Sequence, residues 1–192
     1  MTIAPETDES IALRVQQGDA DAFGDLIERY DAKLMRYARK FLLDPDDAKD
    51  IVQDIFIKSY ENIQSFDASR RFSPWIYRIA HNEFVNALKK RASRHIAFDI
   101  DIDTLFPHLA APDTADSAAL ERDLRTSLER HLDKLSPKYR ELLVLYYIEG
   151  MDYKEMSEIL QIPISTVGVR LARGREALKK VVGDEGIEHY ES

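Results

Sequence analysis

Apolar residues recur along this chain at intervals of three and four, and the alternating pattern of a half-buried strand is almost absent. The clearest repeat runs from Ser73 to Arg91 (SPWIYRIAHNEFVNALKKR). Ser73 suits an N-cap, and Pro74 falls at the first helical position, where its missing N–H costs nothing. Ile76, Ile79, Ala80, Phe84, Val85 and Leu88 then predict a buried helical face. Arg78, Asn82, Asn86, Lys89 and Lys90 step along the other side, with Trp75 at the head, just after the pair Arg70-Arg71.

The same period organises the rest. A short helix over Glu9–Gln17 closes at Gly18. Asp19 caps the next, whose stripe is Phe23, Leu26, Ile27, Tyr30, Leu34, Tyr37, Ala38 and Phe41, down to about Leu43. Asp44-Pro45 starts a third, Pro45–Ile63, in which Ile51, Val52, Ile55, Phe56 and Ser59 face inward. Asp50, Asp54, Lys58 and Glu61 lie on its other side. From Ile96 to about Ser117 the period fails among Pro107, Pro112 and scattered aspartates, which reads as a linker. Helix resumes over Ala118–Leu135, and Ser136-Pro137 opens another that ends at Gly150. Asp152 and Glu155 form a capping box for Tyr153–Leu160. After the turn Gln161–Ile164, Ser165 caps a last helix with Val167, Leu171 and Leu178 inward and Arg170, Arg173, Arg175, Lys179 and Lys180 outward. Short helix, tight turn and basic helix predict a helix-turn-helix.

The fold class expected is therefore all-α, with two small helical domains joined by a flexible linker. The domains span residues 1–95 and 118–182, the acidic linker 96–117, and an acidic tail 183–192. No cysteine is present, which excludes disulfides, thiolate metal sites and a cysteine nucleophile. No apolar run approaches the ~18 residues of a membrane span and no signal-peptide pattern opens the chain, so a cytoplasmic protein without membrane insertion is expected.

Charge changes the picture. The net value of −8 looks wrong for a nucleic-acid binder, but it is unevenly spread: −7 over residues 1–69, +6 over 70–95, −5 over 96–137, +2 over 138–182 and −4 over the last ten. Fields act within a Debye length of ~10 Å, so basic islands on an acidic chain can still hold phosphate. Cations answer phosphates, amides answer base edges, and an aromatic can stack on an unpaired base. The bland alternative for the basic stripe is a solvated face with Trp75 in the core. For the polar side of Pro45–Ile63 the choice is between a solvated face and a docking surface for a basic partner helix. Asp99, Asp101 and Asp103 lack the loop glycine and closing glutamate of an EF-hand, and no paired carboxylates, phosphate loop or metal cluster appears. Neither a cofactor nor an enzymatic activity is expected.

Taken together these segments resemble the extracytoplasmic-function (ECF) sigma factors of the sigma-70 family. DAFGDLIERY (Asp21–Tyr30) resembles the start of sigma domain 2, and DAKDIVQDIFIKSYENI (Asp47–Ile63) the segment that docks on the coiled coil of the polymerase β′ subunit. FSPWIYRIAHNEFVNALKKR resembles the segment that melts and reads the −10 element. SPKYRELLVLYYIEGMDYKEMSEILQIPISTVGVRLARGREAL resembles domain 4, which reads the −35 element.

The resemblance implies roles. Asp50, Gln53 and Asp54 would meet core RNA polymerase, whose β′ coiled coil and β subunit are the expected contacts. Asn82 and Asn86 would contact the −10 strand, with Arg78 and Lys89 on phosphates, and the loop Ser65–Arg71 would help hold a flipped-out base. Trp75 would either stack on DNA or pack in the core, the second being favoured. Arg170, Arg173 and Arg175 would serve the −35 element, with Ser165 and Thr166 at a phosphate. With no room for a domain 3, melting would rest on capture of unpaired bases, at a few kcal/mol of unstacking each. An anti-sigma factor is the further partner expected, one that clamps between the two domains.

Two departures stand out: the family usually has glycine in place of Ser165, and a basic-then-small pair in place of Gly168-Val169. With Gly174, two glycines sit in the recognition helix at ~1 kcal/mol of propensity each. Either the −35 contacts differ, or domain 4 orders fully only on DNA or a partner. The alternative function is a sigma mimic that sequesters an anti-sigma factor without reading DNA. The acidic balance predicts that the isolated chain binds promoter duplex weakly; a salt titration of binding checks this, and tight binding at physiological salt contradicts it.

Overall fold

Thr7 starts the first helix, its hydroxyl accepting from Ser10 N at 3.2 Å, and α1 (Asp8–Gln16) stops at Gly18, whose φ of +105° a side chain would rarely adopt. Asp19 caps a 3₁₀ turn, Ala20–Ala22, which leads directly into α2 (Phe23–Arg39). The computed structural model describes residues 6–39, 45–94 and 131–188, and among them every regular element is helical. The linker, Phe41, and most of the helix expected over Ala118–Leu135 lie outside the described residues. Two units divide the chain, Met1–Ala97 and Phe98–Ser192.

In the first unit α3 (Pro45–Asn62) ends in a 3₁₀ turn, Ile63–Ser65, and a loop leads to α4 (Phe72–Arg94). The α2 stripe is buried as its spacing requires, except that Ile27 is left 38% exposed. From α3, Val52, Ile55 and Phe56 are buried together with Ser59, whose hydroxyl donates to Ile55 O at 2.7 Å, while Ile51 is half-buried. Ile76, Ala80 and Phe84 of α4 are buried as expected, and Tyr77 joins them. Tyr37 meets Tyr77 and Phe84 edge-on at 5.2 and 5.1 Å, and Tyr30 meets Phe72 at 5.4 Å. Such pairs contribute ~0.5–1.5 kcal/mol each beyond their burial.

The start of α4 differs from the expectation built on Ser73. Phe72 is already helical, and its N–H donates to Glu9 Oε1 of α1 at 2.9 Å. A carboxylate from another helix thus takes the orphan N–H, where the dipole favours negative charge. Beside it the Tyr30 hydroxyl donates to Asp8 Oδ2 at 2.6 Å, while Arg29 Nη1 holds Asp8 Oδ1 at 2.7 Å.

In the second unit a 3₁₀ turn, Leu132–Lys134, finishes the segment that the spacing extended as helix to Leu135. Arg140 ties it down, donating to Leu132 O at 2.7 Å and Leu135 O at 3.0 Å. The helix expected to run regularly from Pro137 to Gly150 does not. After α5 (Pro137–Leu143) it widens into a π-helical stretch, Val144–Ile148, over the region where the four consecutive residues Leu142, Leu143, Val144 and Leu145 are all buried. The wider turn brings consecutive residues closer to one face than the 100° step of a regular α-helix does. The helix α6 (Tyr153–Leu160) carries the expected capping box in both directions, Glu155 N to Asp152 at 2.8 Å and Asp152 N to Glu155 at 2.9 Å. Gln161 takes the left-handed conformation at φ 54°, and Ser157 brackets the turn, donating through its hydroxyl to Ile162 O at 2.6 Å.

The last helix, α7 (Ile164–Glu188), starts one residue before Ser165. Pro163 O accepts from Thr166 N and Val167 N, so Ser165 lies inside the first turn and is not the cap. At its far end α7 continues into the acidic segment that begins at residue 183. Val167, Leu171 and Leu178 are fully buried. Gly174 is buried where α7 crosses α5, and a Cβ there would meet Leu143 Cγ at 3.4 Å and Tyr139 Cβ at 3.5 Å. A methyl group there would make ordinary van der Waals contact, and only a larger side chain would press on Leu143 and Tyr139. At Gly168 the nearest group is the Tyr153 ring, at 3.6 Å.

Tyr30→Phe is expected to destabilise the first unit by about 1.5–3 kcal/mol, the range for a hydrogen bond to a charged acceptor. Burial, and then the Asp8 carboxylate, push the Tyr30 hydroxyl well above the ordinary tyrosine range, so its folded-state pKa is raised. Its contribution is present below about pH 10 and is lost as pH rises, because only the unfolded chain releases the proton. Thermal unfolding against pH should thus decline less steeply in alkali for the Phe variant. In the second unit Gly168→Ala should raise stability by up to ~1 kcal/mol, whereas Gly174→Leu should lower it by ~1–3 kcal/mol through overpacking; calorimetry of both variants checks this.

Candidate nucleic-acid and partner interfaces

At 100° per residue, Trp75, Arg78, Asn82, Asn86 and Lys89 fall within a sector of about 80° on α4. Arg78, Asn82 and Asn86 are exposed; the Lys89 backbone continues the register, and its side chain lies outside the described residues. Glu83, the one acid of residues 70–95, is turned toward α3 and pairs with Lys58 at 2.6 Å, its side chain 16% exposed. That ion pair removes an anion from the basic stripe and a cation from the polar side of α3. Lys58 thus belongs to the α3–α4 contact and not to the exposed acidic side of α3. His81 is half-buried.

Trp75 packs. Its ring lies tilted against Phe66 at 5.3 Å and Phe72 at 5.4 Å, and the side chain stays half-buried at the head of the stripe. Phe66 had no helical period to reveal it, since it sits in the loop, yet it is buried and also meets Phe72 edge-on at 5.3 Å. Beyond it Asp67 folds the loop back: Ser69 N and the Ser69 hydroxyl both donate to Asp67 Oδ1, at 3.0 and 2.7 Å, and Arg70 N donates to Asp67 O at 2.9 Å. The Ser69 donors, hydroxyl before amide, hold the Asp67 carboxyl below the usual range. Ser65, Asp67, Ser69, Arg70 and Arg71 are all exposed.

On α3, Asp50, Gln53 and Asp54 are exposed and share one side with Glu61. Two apolar residues that the sequence analysis did not single out join them: Ile57, 48% exposed, and Tyr60, 45% exposed and edge-on to Phe23 at 5.2 Å. The signal was available, because Ile57 interrupts a polar run one turn after Asp54. Acid with exposed aliphatic and aromatic groups suits a protein partner better than bare solvent.

On α7 the three arginines separate. Arg170 and Arg173 lie about 60° apart and are half-exposed, and Thr166 and the exposed Lys180 share their side. Arg175 is turned about 160° from Arg173. Its guanidinium lies 5.6 and 5.7 Å from the Tyr146 and Tyr147 ring centroids, and its Nε is buried with no hydrogen-bond partner. Spacing in the sequence grouped it with the other two; the facing aromatic pair on the π-helical stretch draws it aside. Ser165 is exposed at the start of the helix beside Ile164, itself 50% exposed. Among the described residues no cluster of metal-ligating side chains and no helix long and apolar enough to cross a membrane occurs.

Known proteins share this arrangement. Residues 26–94 match Sigma-70 region 2, and residues 125–178 match Sigma-70, region 4. The ECF RNA polymerase sigma factor SigW of Bacillus subtilis (strain 168) is 36% identical over 89% of this chain and 94% of its own length. Among solved structures, CnrH, in complex with the cytosolic domain of CnrY, aligns with a TM-score of 0.66 at 26% identity, covering 93% of this chain and 99% of that one. The sigma factor RpoE from Bartonella quintana, solved with the anti-sigma factor NepR, aligns at 0.63 and 26% identity over 84% of this chain and 96% of its own. With region 2 on the four-helix unit and region 4 on the helix-turn-helix unit, the chain belongs to the ECF sigma factors of the sigma-70 family, which direct RNA polymerase to promoters.

Proposed function

We propose that the labour is divided by surface. The face of α3 bearing Asp50, Gln53, Asp54, Ile57 and Tyr60 docks on core polymerase at the β′ coiled coil. The stripe Arg78, Asn82, Asn86 and Lys89, with the loop Ser65–Arg71, takes the unpaired −10 strand: cations on phosphates, amides on base edges, the loop around one extruded base. Arg170, Arg173, Thr166 and Ser165 address the −35 duplex, while Arg175 supports that helix from behind through its tyrosine faces.

The observation that carries this reading is the sorting of charge on the α3–α4 pair. The Lys58–Glu83 bridge leaves an acidic face on one helix and a basic, amide-bearing stripe on the other. Both surfaces are needed by a factor that must hold protein and DNA at once. The CnrH and RpoE structures, each bound to a second protein, support an anti-sigma partner for this chain as well. Such a chain works in the cytoplasm as a specificity subunit, with catalysis left to the polymerase. No observation favours the sigma-mimic alternative.

Two charge changes test the division. Asn82→Asp should slow open-complex formation about tenfold or more, with core affinity within about twofold of wild type. Asp54→Lys should weaken core binding by a similar factor, yet open promoters normally once saturated with core. Core affinity is read by fluorescence titration and opening by permanganate reactivity of promoter thymines. Failure of both variants in the same step would sink the assignment.

A further inference from the structure

The loop between α3 and α4 is held from a helix almost fifty residues away in sequence. Gln16, the last residue of α1, donates through Nε2 to both Ile63 O and Phe66 O, each at 2.7 Å. Gln64 returns a bond from its own Nε2 to Gln16 O at 3.1 Å, and Glu9 takes the Phe72 N–H where the loop ends. The side chains of Ile63 and Phe66 are buried beneath, while Ser65, Asp67, Ser69, Arg70 and Arg71 face outward. The inner edge of the loop is pinned and its outer edge is presented to solvent.

The chemistry at Gln16 is specific. Two carbonyl oxygens converge on one nitrogen, so the group between them must offer two N–H donors at the end of a three-bond side chain, which a primary amide does. A carboxylate there would face two carbonyls with no proton to give, and a thioether would leave both without this donor. Loops that order only on contact spend part of their affinity on that ordering; a loop shaped in advance does not.

We propose that Gln16 is a positioning residue for capture of an unpaired promoter base. It touches no DNA and sets the shape of residues 63–71 from behind, so that the receiving surface exists before the strand arrives. The proposal rests on the reading above in which this loop holds an extruded base.

The test uses full-length Gln16→Glu and Gln16→Met assembled with core polymerase. A nontemplate strand is first selected from a randomised single-stranded DNA pool with wild-type holoenzyme, and each base in turn is then replaced by an abasic unit. Wild type should lose about tenfold in affinity at the captured position, the size of one stacked base. Both variants should bind the intact strand about tenfold more weakly and lose nothing further at that position, with core affinity and −35 duplex binding within about twofold of wild type. Variants that keep the full abasic penalty overturn the proposal, whatever their melting temperature, because Gln16 would then only support the fold. A wild-type strand with no abasic-sensitive position overturns it together with the loop's assigned role, while leaving core binding by α3 intact.

Discussion

Phe72 is where the first unit converges. Its ring takes Tyr30 from α2, Phe66 from the loop and Trp75 from the next turn of its own helix, and its backbone N–H is held by Glu9 of α1. Each contact is modest alone, but all of them require the chain to enter α4 at one place and one angle. That angle fixes which residues of α4 turn outward, since each step along a helix rotates the side chain by 100°. The exposure of Arg78, Asn82 and Asn86 is thus decided at the head of the helix, by aromatic packing and one carboxylate.

Electrostatics then works against the background of the chain. A protein with net charge −8 repels DNA as a whole, so its basic stripe must be cleared of local anions. Glu83 would spoil the stripe if it faced outward; pairing with Lys58 keeps it at the helix contact. Being half-exposed on the lysine side, this pair adds little stability. Its importance lies in where it leaves the remaining charges. On α7 the same sorting uses aromatic faces, which draw Arg175 out of the basic group.

Much of this was legible from the residues because it is local. The capping box at Asp152 and Glu155, the positive-φ stops at Gly18 and Gly150, and the buried stripes of α2, α3 and α7 follow from spacing and side-chain type over a few residues. The family resemblance extended that to both units, and the match to Sigma-70 regions 2 and 4 agrees with it. What escaped depends on partners far away in sequence. Glu9 as the acceptor for α4, Gln16 on the loop carbonyls, Phe66 in the core and Arg175 on two tyrosines each join positions that no short period links. The π-helical stretch escaped for a different reason: its run of apolar residues fits a buried α-helix equally well, so spacing alone does not reveal the wider turn.

The chain holds a single tryptophan, and it stands in contact with Phe66 and Phe72, one at the foot of the loop and the other at the entry to α4. Indole emission from the full-length protein therefore originates at one known spot, half screened from water, with no contribution from the helix-turn-helix unit. The molecule thus carries a built-in optical reporter for the state of the corner where the loop enters α4, requiring no added dye.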